Sequence, residues 1–198
     1  GADKVITMGY RAGVLAIYSN TSGNQIFIGS EAAQSVGFSN KSTGDNNIFI
    51  GTHAGRHITY ASQNTVVGHM AYGRLNGSTT IDVSGSDVTA FGYAAGQYAT
   101  GSKNTFVGSQ AGKGGVTSAP FSSGGFNTAV GERAFASHTT GDNNVAIGYL
   151  TMYASTTARY NTTQAIAHGI TAQDANHTKQ QSNGTEACQI PHTHTHTH

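Results

Sequence analysis

The chain has 198 residues, enough for one ordinary domain, but only 10% of them are charged and 27 are glycine. Its formal net charge is +1, and the ten Lys and Arg residues are scattered, so the basic stripe that attracts nucleic acid or an anionic membrane is missing. No apolar run approaches the roughly 20 residues of a transmembrane helix. We therefore expect neither a nucleic-acid partner nor membrane insertion.

The amino-acid usage favours β-structure. Leucine occurs only at positions 15, 75 and 150, tryptophan is absent, and Gly, Asn, Ser, Thr, Ile and Val dominate. Strong helix formers are therefore scarce, while strand and turn formers are abundant. The composition predicts an all-β fold.

A five-residue motif of Asn, three further residues and Gly recurs along the chain, for example at residues 47–51, 64–68, 104–108, 127–131 and 144–148. Alignment on the glycine gives nine copies, separated by 16 to 24 residues: Gly9, Gly29, Gly51, Gly68, Gly92, Gly108, Gly131, Gly148 and Gly169. In eight copies an alanine follows three residues later. A fixed register with variable spacing is typical of a wound repeat whose insertions form loops. We assign residues 1–172 to a β-repeat shaft or head of nine coils, and residues 173–198 to a tip.

Two adjacent positions of the motif are apolar. The residue before the glycine is large in eight copies: Met8, Ile28, Ile50, Val67, Phe91, Val107, Val130 and Ile147. The residue before that one varies in size: Phe27, Phe49, Val66, Ala90, Phe106, Ala129 and Ala146. Because adjacent residues of a strand point to opposite faces, we expect both faces to be buried.

A single coil buries only one face of each strand in its interior, so the other apolar face must pack against something outside the coil. We expect the large residues before the glycine to fill the interior of each coil, and the side that bears Phe49, Phe106 and Ala146 to face another chain. The alternative is that each strand is covered by loops of its own chain.

Polar turns separate the copies. Residues 42–47 and 139–144 are nearly identical and are rich in Gly, Asn and Asp, which suit tight corners. We interpret Asp45 and Asp142 as turn residues, and we expect the leading Asn of successive strands to stack as a ladder. The scattered His53, His57 and His69, together with His138, are interpreted as surface or stacking residues.

Two inserts, residues 74–87 and 113–126, are longer than a corner requires, and loops on a rigid scaffold often bind ligands. Aromatic and Arg side chains in or beside them are the candidate receptor contacts: Tyr72, Arg74, Tyr98, Phe121 and Phe126. Asp82 and Asp87 could form a carboxylate pair for glycoside hydrolysis, although most loop acids are solvated. The single cysteine, Cys188, excludes an intrachain disulfide.

The motifs at residues 46–51, 127–131 and 143–148 resemble two related repeats. One is the head repeat of trimeric autotransporter adhesins, a left-handed β-roll in a homotrimer, and the other is the longer-period repeat of tailed-phage tail fibres and receptor-binding proteins. The resemblance covers residues 1–172, and the long spacing favours the phage type. It implies a homotrimeric β-helix or β-roll fibre on a virion or cell surface.

The chain ends in alternating His and Thr, with histidines at His192, His194, His196 and His198. This run resembles the His-x-His motifs of tail fibre and tail spike tips, where trimers hold iron on the three-fold axis. Alternate residues of a strand share a face, but four of them span about 20 Å, too far for one ion. Two histidines from each of three chains would supply six imidazoles, so we expect a transition metal, iron first and Zn or Ni next. A purification tag is the alternative.

The sequence thus predicts a non-catalytic homotrimeric fibre that attaches to a cell-surface glycan or protein. Nucleophile-elbow and phosphate-loop motifs are missing, which argues against an enzyme. Three alternatives remain: a bacterial trimeric adhesin head, a tailspike polysaccharide depolymerase and a purely structural fibre segment.

Overall fold

The computed structural model describes residues 4–14, 23–34, 44–73, 84–115 and 122–164. These residues carry nine short strands and no helix, as the composition predicts. The strands are β1 (Val5–Met8), β2 (Gln25–Ile28), β3 (Ile48–Ile50), β4 (Thr65–Val67), β5 (Thr89–Phe91), β6 (Thr105–Val107), β7 (Thr128–Val130), β8 (Val145–Ile147) and β9 (Thr162–Gln164). They form one parallel sheet in sequence order, which makes the described chain a β-solenoid.

The recurring glycine is required where each strand ends. From Gly9 to Gly148 these glycines have φ values between 119° and 142°, a region that other residues rarely adopt. A Cβ on Gly51 would lie 2.5 Å from the carbonyl oxygen of Gly68 in the next coil. Coils can therefore stack at strand spacing here only if residue 51 carries no side chain.

The ninth copy differs from the predicted alignment on Gly169. Strand β9 pairs in register with β8, so Gln164 lies beside Ile147 and Asn161 is the leading residue of the strand. Ala165 and Gly169 lie outside the described residues. Strand β9 ends five residues before Gly169, whereas each of the eight earlier strands ends directly before its glycine, so the alignment on Gly169 does not match the register of β9.

The predicted Asn ladder is present and buried. Asn127 is typical: its Oδ1 accepts hydrogen bonds from the backbone N–H and the Nδ2 of Asn144, both at 3.0 Å, while its Nδ2 donates to the Gly141 carbonyl at 2.8 Å. Equivalent bonds join Asn47 to Asn64. Val88 occupies the ladder position before β5 and has no side-chain oxygen, so the amide chain is interrupted there. Each amide stabilises the corner because it satisfies buried backbone groups of its own coil and its neighbour.

The interior of the solenoid is filled by the variable strand-centre position, which reverses our prediction. All seven strand-centre residues from β2 to β8 are fully buried within one chain: Phe27, Phe49, Val66, Ala90, Phe106, Ala129 and Ala146. The large residues before the glycine lie on the outer face, where Met8, Phe91 and Ile147 are exposed. The expectation that Phe49, Phe106 and Ala146 face another chain is therefore wrong.

Volume compensation inside each coil explains why the strand centre varies. The fourth residue after the glycine also points inward, and it is small where the strand centre is Phe: a Cβ on Gly55 would lie 2.7 Å from the Phe49 ring. Where the strand centre is Ala, the partner is large in two coils, Ala129 with Phe135 and Ala146 with Met152. Ala90 is the exception: its partner is Gly96, and the rings of Tyr72 and Phe106 from the adjacent coils occupy that space. Protein interiors are packed at nearly constant density, so one position gains the volume that the other lacks.

His138 belongs to this core rather than to the surface. It is fully buried, stacks on Phe135 at a centroid distance of 4.7 Å and contacts Phe106 at 5.7 Å. Its Nδ1 donates to the Phe135 carbonyl at 3.1 Å. Burial lowers the pKa of His138 to about 4, although the backbone hydrogen bond acts in the opposite direction. His57 is also buried, so neither histidine is a surface residue, whereas the stacking alternative is confirmed for His138.

We predict a pH dependence of stability that arises from His138. The folded pKa of about 4 lies below the ordinary value of 6.5, so between these pH values the unfolded chain binds a proton that the folded chain does not. The free energy of unfolding should therefore fall as the pH drops from 6.5 to 4, by at most about 3 kcal/mol. Denaturant titrations at several pH values measure how steeply the free energy of unfolding depends on pH. The wild type should show a steeper dependence than His138→Phe, which keeps the stacked ring. Equal slopes would contradict a neutral buried imidazole.

Candidate functional site

The outer face of the sheet is a candidate interaction surface. We define it as the first and third residues of each three-residue strand, together with Ile6, Met8, Ile26 and Ile28 in β1 and β2. Ile6 is 53% exposed, Met8 62%, Phe91 54% and Ile147 41%. With strands about 4.8 Å apart, the nine strands make a stripe about 38 Å long. The position before the glycine is apolar in eight of the nine strands, so the stripe is continuous from β1 to β8.

Tyrosines extend this apolar face beyond the glycine turn. Tyr10, Tyr93 and Tyr149 each follow a repeat glycine directly, and each is exposed. Soluble monomers rarely expose a continuous apolar surface of this extent, and such surfaces mark contacts with another molecule. The outer face therefore has the composition of an interface.

Tyr72 is wrongly predicted as an exposed receptor contact. Its side chain is fully buried in the solenoid interior, and its hydroxyl donates to the Gly85 carbonyl at 2.9 Å. Burial raises the pKa of the Tyr72 phenol above its usual range. Tyr72 is the large inward partner of the smaller Val66 in the same coil, so its role is to fill the core.

The other predicted contacts have different outcomes. Phe126 is 57% exposed, whereas Tyr98 is half-buried. Arg74 and Phe121 lie outside the described residues, and so does Asp82 of the carboxylate pair. The structure therefore leaves Phe126 as the candidate that is both described and well exposed.

The predicted metal ligands, His192, His194, His196 and His198, also lie outside the described residues, as does Cys188. Within the part of the chain that the structure describes, there is no cluster of three His, Cys, Asp or Glu side chains able to hold a metal ion. The metal site at the tip stays a prediction.

A corner column of side chains lies beside the Asn ladder, formed by the residue before each ladder position. Its described members from β3 to β9 are Asn46, Gln63, Asp87, Lys103, Phe126, Asn143 and Tyr160, with φ values between 57° and 62°. All seven are exposed. We call the last four, Lys103, Phe126, Asn143 and Tyr160, the corner ridge. The sequence analysis identified Phe126 but missed Tyr160, although both directly precede a ladder Asn.

A second polar and aromatic cluster lies on coils β2 to β5. One carboxylate oxygen of Glu31 is 3.2 Å from His53 Nε2 and 3.4 Å from Arg56 Nε. The His53 ring lies 5.9 Å from that of His69, which lies 5.7 Å from Tyr93. The His53 and His69 rings are tilted by 34° to each other and His69 is exposed, so the surface alternative is confirmed for His69. The Glu31 carboxylate pairs with the Arg56 guanidinium, so this cluster presents no strong net charge.

The turn acids are structural, as predicted. Asp142 Oδ1 accepts a hydrogen bond from the Gly125 N–H at 2.9 Å, and its Oδ2 lies 3.5 Å from Arg159 Nε. The Asp45 backbone is fixed in the same way, because its N–H donates to Ser62 Oγ at 2.9 Å. These residues hold corners of adjacent coils together.

Comparisons with protein-family models, curated proteins and solved structures found no match to this chain. The described residues contain no helix that is long and apolar enough to span a membrane.

Proposed function

We propose that this chain is a fibre protein that assembles as a homotrimer through its outer face and attaches to a receptor on a cell surface, without catalysis. The observation that carries this proposal is the continuous apolar stripe on a solenoid that already has a complete core of its own. Exposure of so many Ile, Val and Phe side chains to water is unfavourable, so their burial would stabilise the protein. A surface of the same length and shape can bury the whole outer face, and another copy of the same chain provides such a surface.

Three-fold closure is supported by the repeat itself. Its motif resembles those of trimeric adhesin heads and phage tail fibres, and three copies around an axis leave no outer face uncovered. Trimerisation also presents three identical receptor sites on one rigid body, which converts weak contacts into avidity. We accordingly place the protein on a virion surface, as a tail fibre, or on the outside of a cell.

The terminal histidines would hold a transition metal between the three chains. On an extended strand, alternate residues would share one face, so three chains could supply six imidazoles to each of two ions from His192, His194, His196 and His198. Iron is the first candidate, with Zn or Ni as alternatives. Such ions would cross-link strands at the end of the fibre.

Metal analysis of protein purified without a metal column tests this tip. We expect one or two ions for every three chains, and we expect His194→Ala with His196→Ala to remove them and lower the thermal midpoint. Wild-type protein without stoichiometric metal would contradict the proposal and favour the tag interpretation.

Charges on the outer face test the assembly and its link to attachment. Val107→Lys with Ile147→Lys would bury two ammonium groups per chain in the interface, which is strongly unfavourable. We expect the β-rich circular dichroism spectrum to persist, the trimer to dissociate in sedimentation experiments, and binding of the labelled protein to bacterial and animal cells to fall at least about tenfold through lost avidity.

The matched control adds the same two charges elsewhere. Gln63→Lys with Ser123→Lys alters exposed residues away from the outer face, and it should leave both mass and cell binding unchanged. If the outer-face variant stays trimeric, the interface is misplaced. If wild-type trimer binds none of the cells, attachment is the wrong function and a structural fibre segment is favoured.

A further inference from the structure

The corner ridge contains two aromatic residues where the backbone disfavours them. Phe126 has φ 60° and Tyr160 has φ 57°, in the left-handed region that Gly, Asn and Asp tolerate best. For other residues this conformation costs roughly 1 kcal/mol or more. The same column carries Asn46 and Asn143, so a residue type suited to the backbone is used in neighbouring coils.

Burial does not offset this cost. Phe126 is 57% exposed and Tyr160 is 80% exposed, so neither ring contributes a full apolar side chain to the core. Local violations of backbone preference and of burial that lack a folding benefit concentrate at functional sites. The two rings are therefore explained better by what they contact outside the chain than by the stability of the solenoid.

The ridge is linear and is fixed by the coil stacking. The backbone N–H groups of Phe126, Asn143 and Tyr160 each donate to a carbonyl of the preceding coil at 3.1 Å. Since adjacent coils are about 4.8 Å apart, the two ring-bearing residues stand about 10 Å apart with the amide of Asn143 between them. The ammonium group of Lys103 lies 5.0 Å from the centre of the Phe126 ring and ends the ridge on one side.

We propose that the corner ridge binds an extended saccharide chain that lies along it. The C–H faces of the sugar rings would stack on Phe126 and Tyr160, while the Asn143 amide, which both donates and accepts, would bind hydroxyl groups between them. Lys103 and the Asp142 and Arg159 pair provide further polar contacts at the two ends. Protein–protein interfaces need a broad contact with a desolvated apolar centre. A ridge one residue wide does not provide this, but it can lie along a chain of sugars. This inference rests on the proposed attachment function and identifies its contact site.

The test replaces both rings by the residue that the backbone prefers. Phe126→Asn with Tyr160→Asn should leave the oligomeric state of the assembly unchanged. Its thermal midpoint should be unchanged or raised, because Asn tolerates positive φ. Binding of the intact assembly to immobilised bacterial polysaccharides and animal glycans, neutral and acidic, should fall at least about tenfold. A loss of binding without a loss of stability is the signature that a merely structural role would not give.

Three control variants make the result specific. Gln63→Asn changes the same column outside the ridge and should have no effect. Tyr160→Phe keeps the ring and should retain binding, whereas Tyr160→Asn alone removes one ring and should weaken it, so the test does not depend on the folding of the double variant. Glu31→Gln removes the carboxylate at the centre of the cluster of Glu31, His53 and Arg56, which lies outside both the ridge and the outer face as defined above. If this variant abolishes saccharide binding while the ridge variant does not, the site lies on that cluster and the ridge proposal is overturned.

The remaining outcomes separate the ridge from the proposed function. Equal saccharide binding by the wild type and the double variant would overturn the ridge and leave attachment intact. Wild-type protein that binds cells but no saccharide would also overturn the ridge alone. Wild-type protein that binds neither would overturn both proposals.

Discussion

The close stacking of successive coils is the constraint on which the rest of the structure depends. Parallel strands pair in register from β1 to β9, and at the end of each strand from β1 to β7 the backbone approaches the next coil so closely that only glycine fits. The Asn ladder holds the other end of the strand at the same spacing, since each amide bonds its own coil and its neighbour. Together these two columns fix the axial positions of the residues along the solenoid.

With the axial spacing fixed, variation is confined to directions across the axis. Inside, a large strand centre is matched by a small inward partner, and a small strand centre either by a large partner or, at Ala90, by rings of the adjacent coils, so the interior stays filled. Outside, the apolar stripe and the corner ridge are free of this constraint. Their side chains can change without altering the coil, and this separates the scaffold from the surfaces that we propose for assembly and for saccharide binding.

Much of this scaffold could be predicted from the sequence because its columns have chemical requirements that only a few residue types meet. Glycine at an obligatory close approach, Asn at a buried corner and Asp142 at a turn each have a local physical reason. The interior face was harder. Positions such as Val107 and Phe106 are both apolar, and an alternation of period two does not say which one points inward. The deciding signal was the size match of Phe49 with Gly55 and of Ala129 with Phe135, which becomes visible only once the second inward position is known.

Tyr72 and Tyr160 illustrate the same difficulty at the candidate sites. Both are tyrosines near turns, yet one fills the core beside Val66 and the other projects from a corner, because they occupy different columns of the same solenoid. The column, more than the residue type, decides whether an aromatic side chain is available for binding. Phe126 was identified from its place beside an insert, but its exposure follows from the corner column that it shares with Tyr160.

The mass of the wild-type assembly in solution tests the central claim, that the outer face of this solenoid is covered by further copies of the same chain. Sedimentation equilibrium at micromolar concentration should give about three times the 20.4 kDa of one chain. A species that remains at 20.4 kDa would contradict the interface, the axial metal site and the avidity that the attachment function requires.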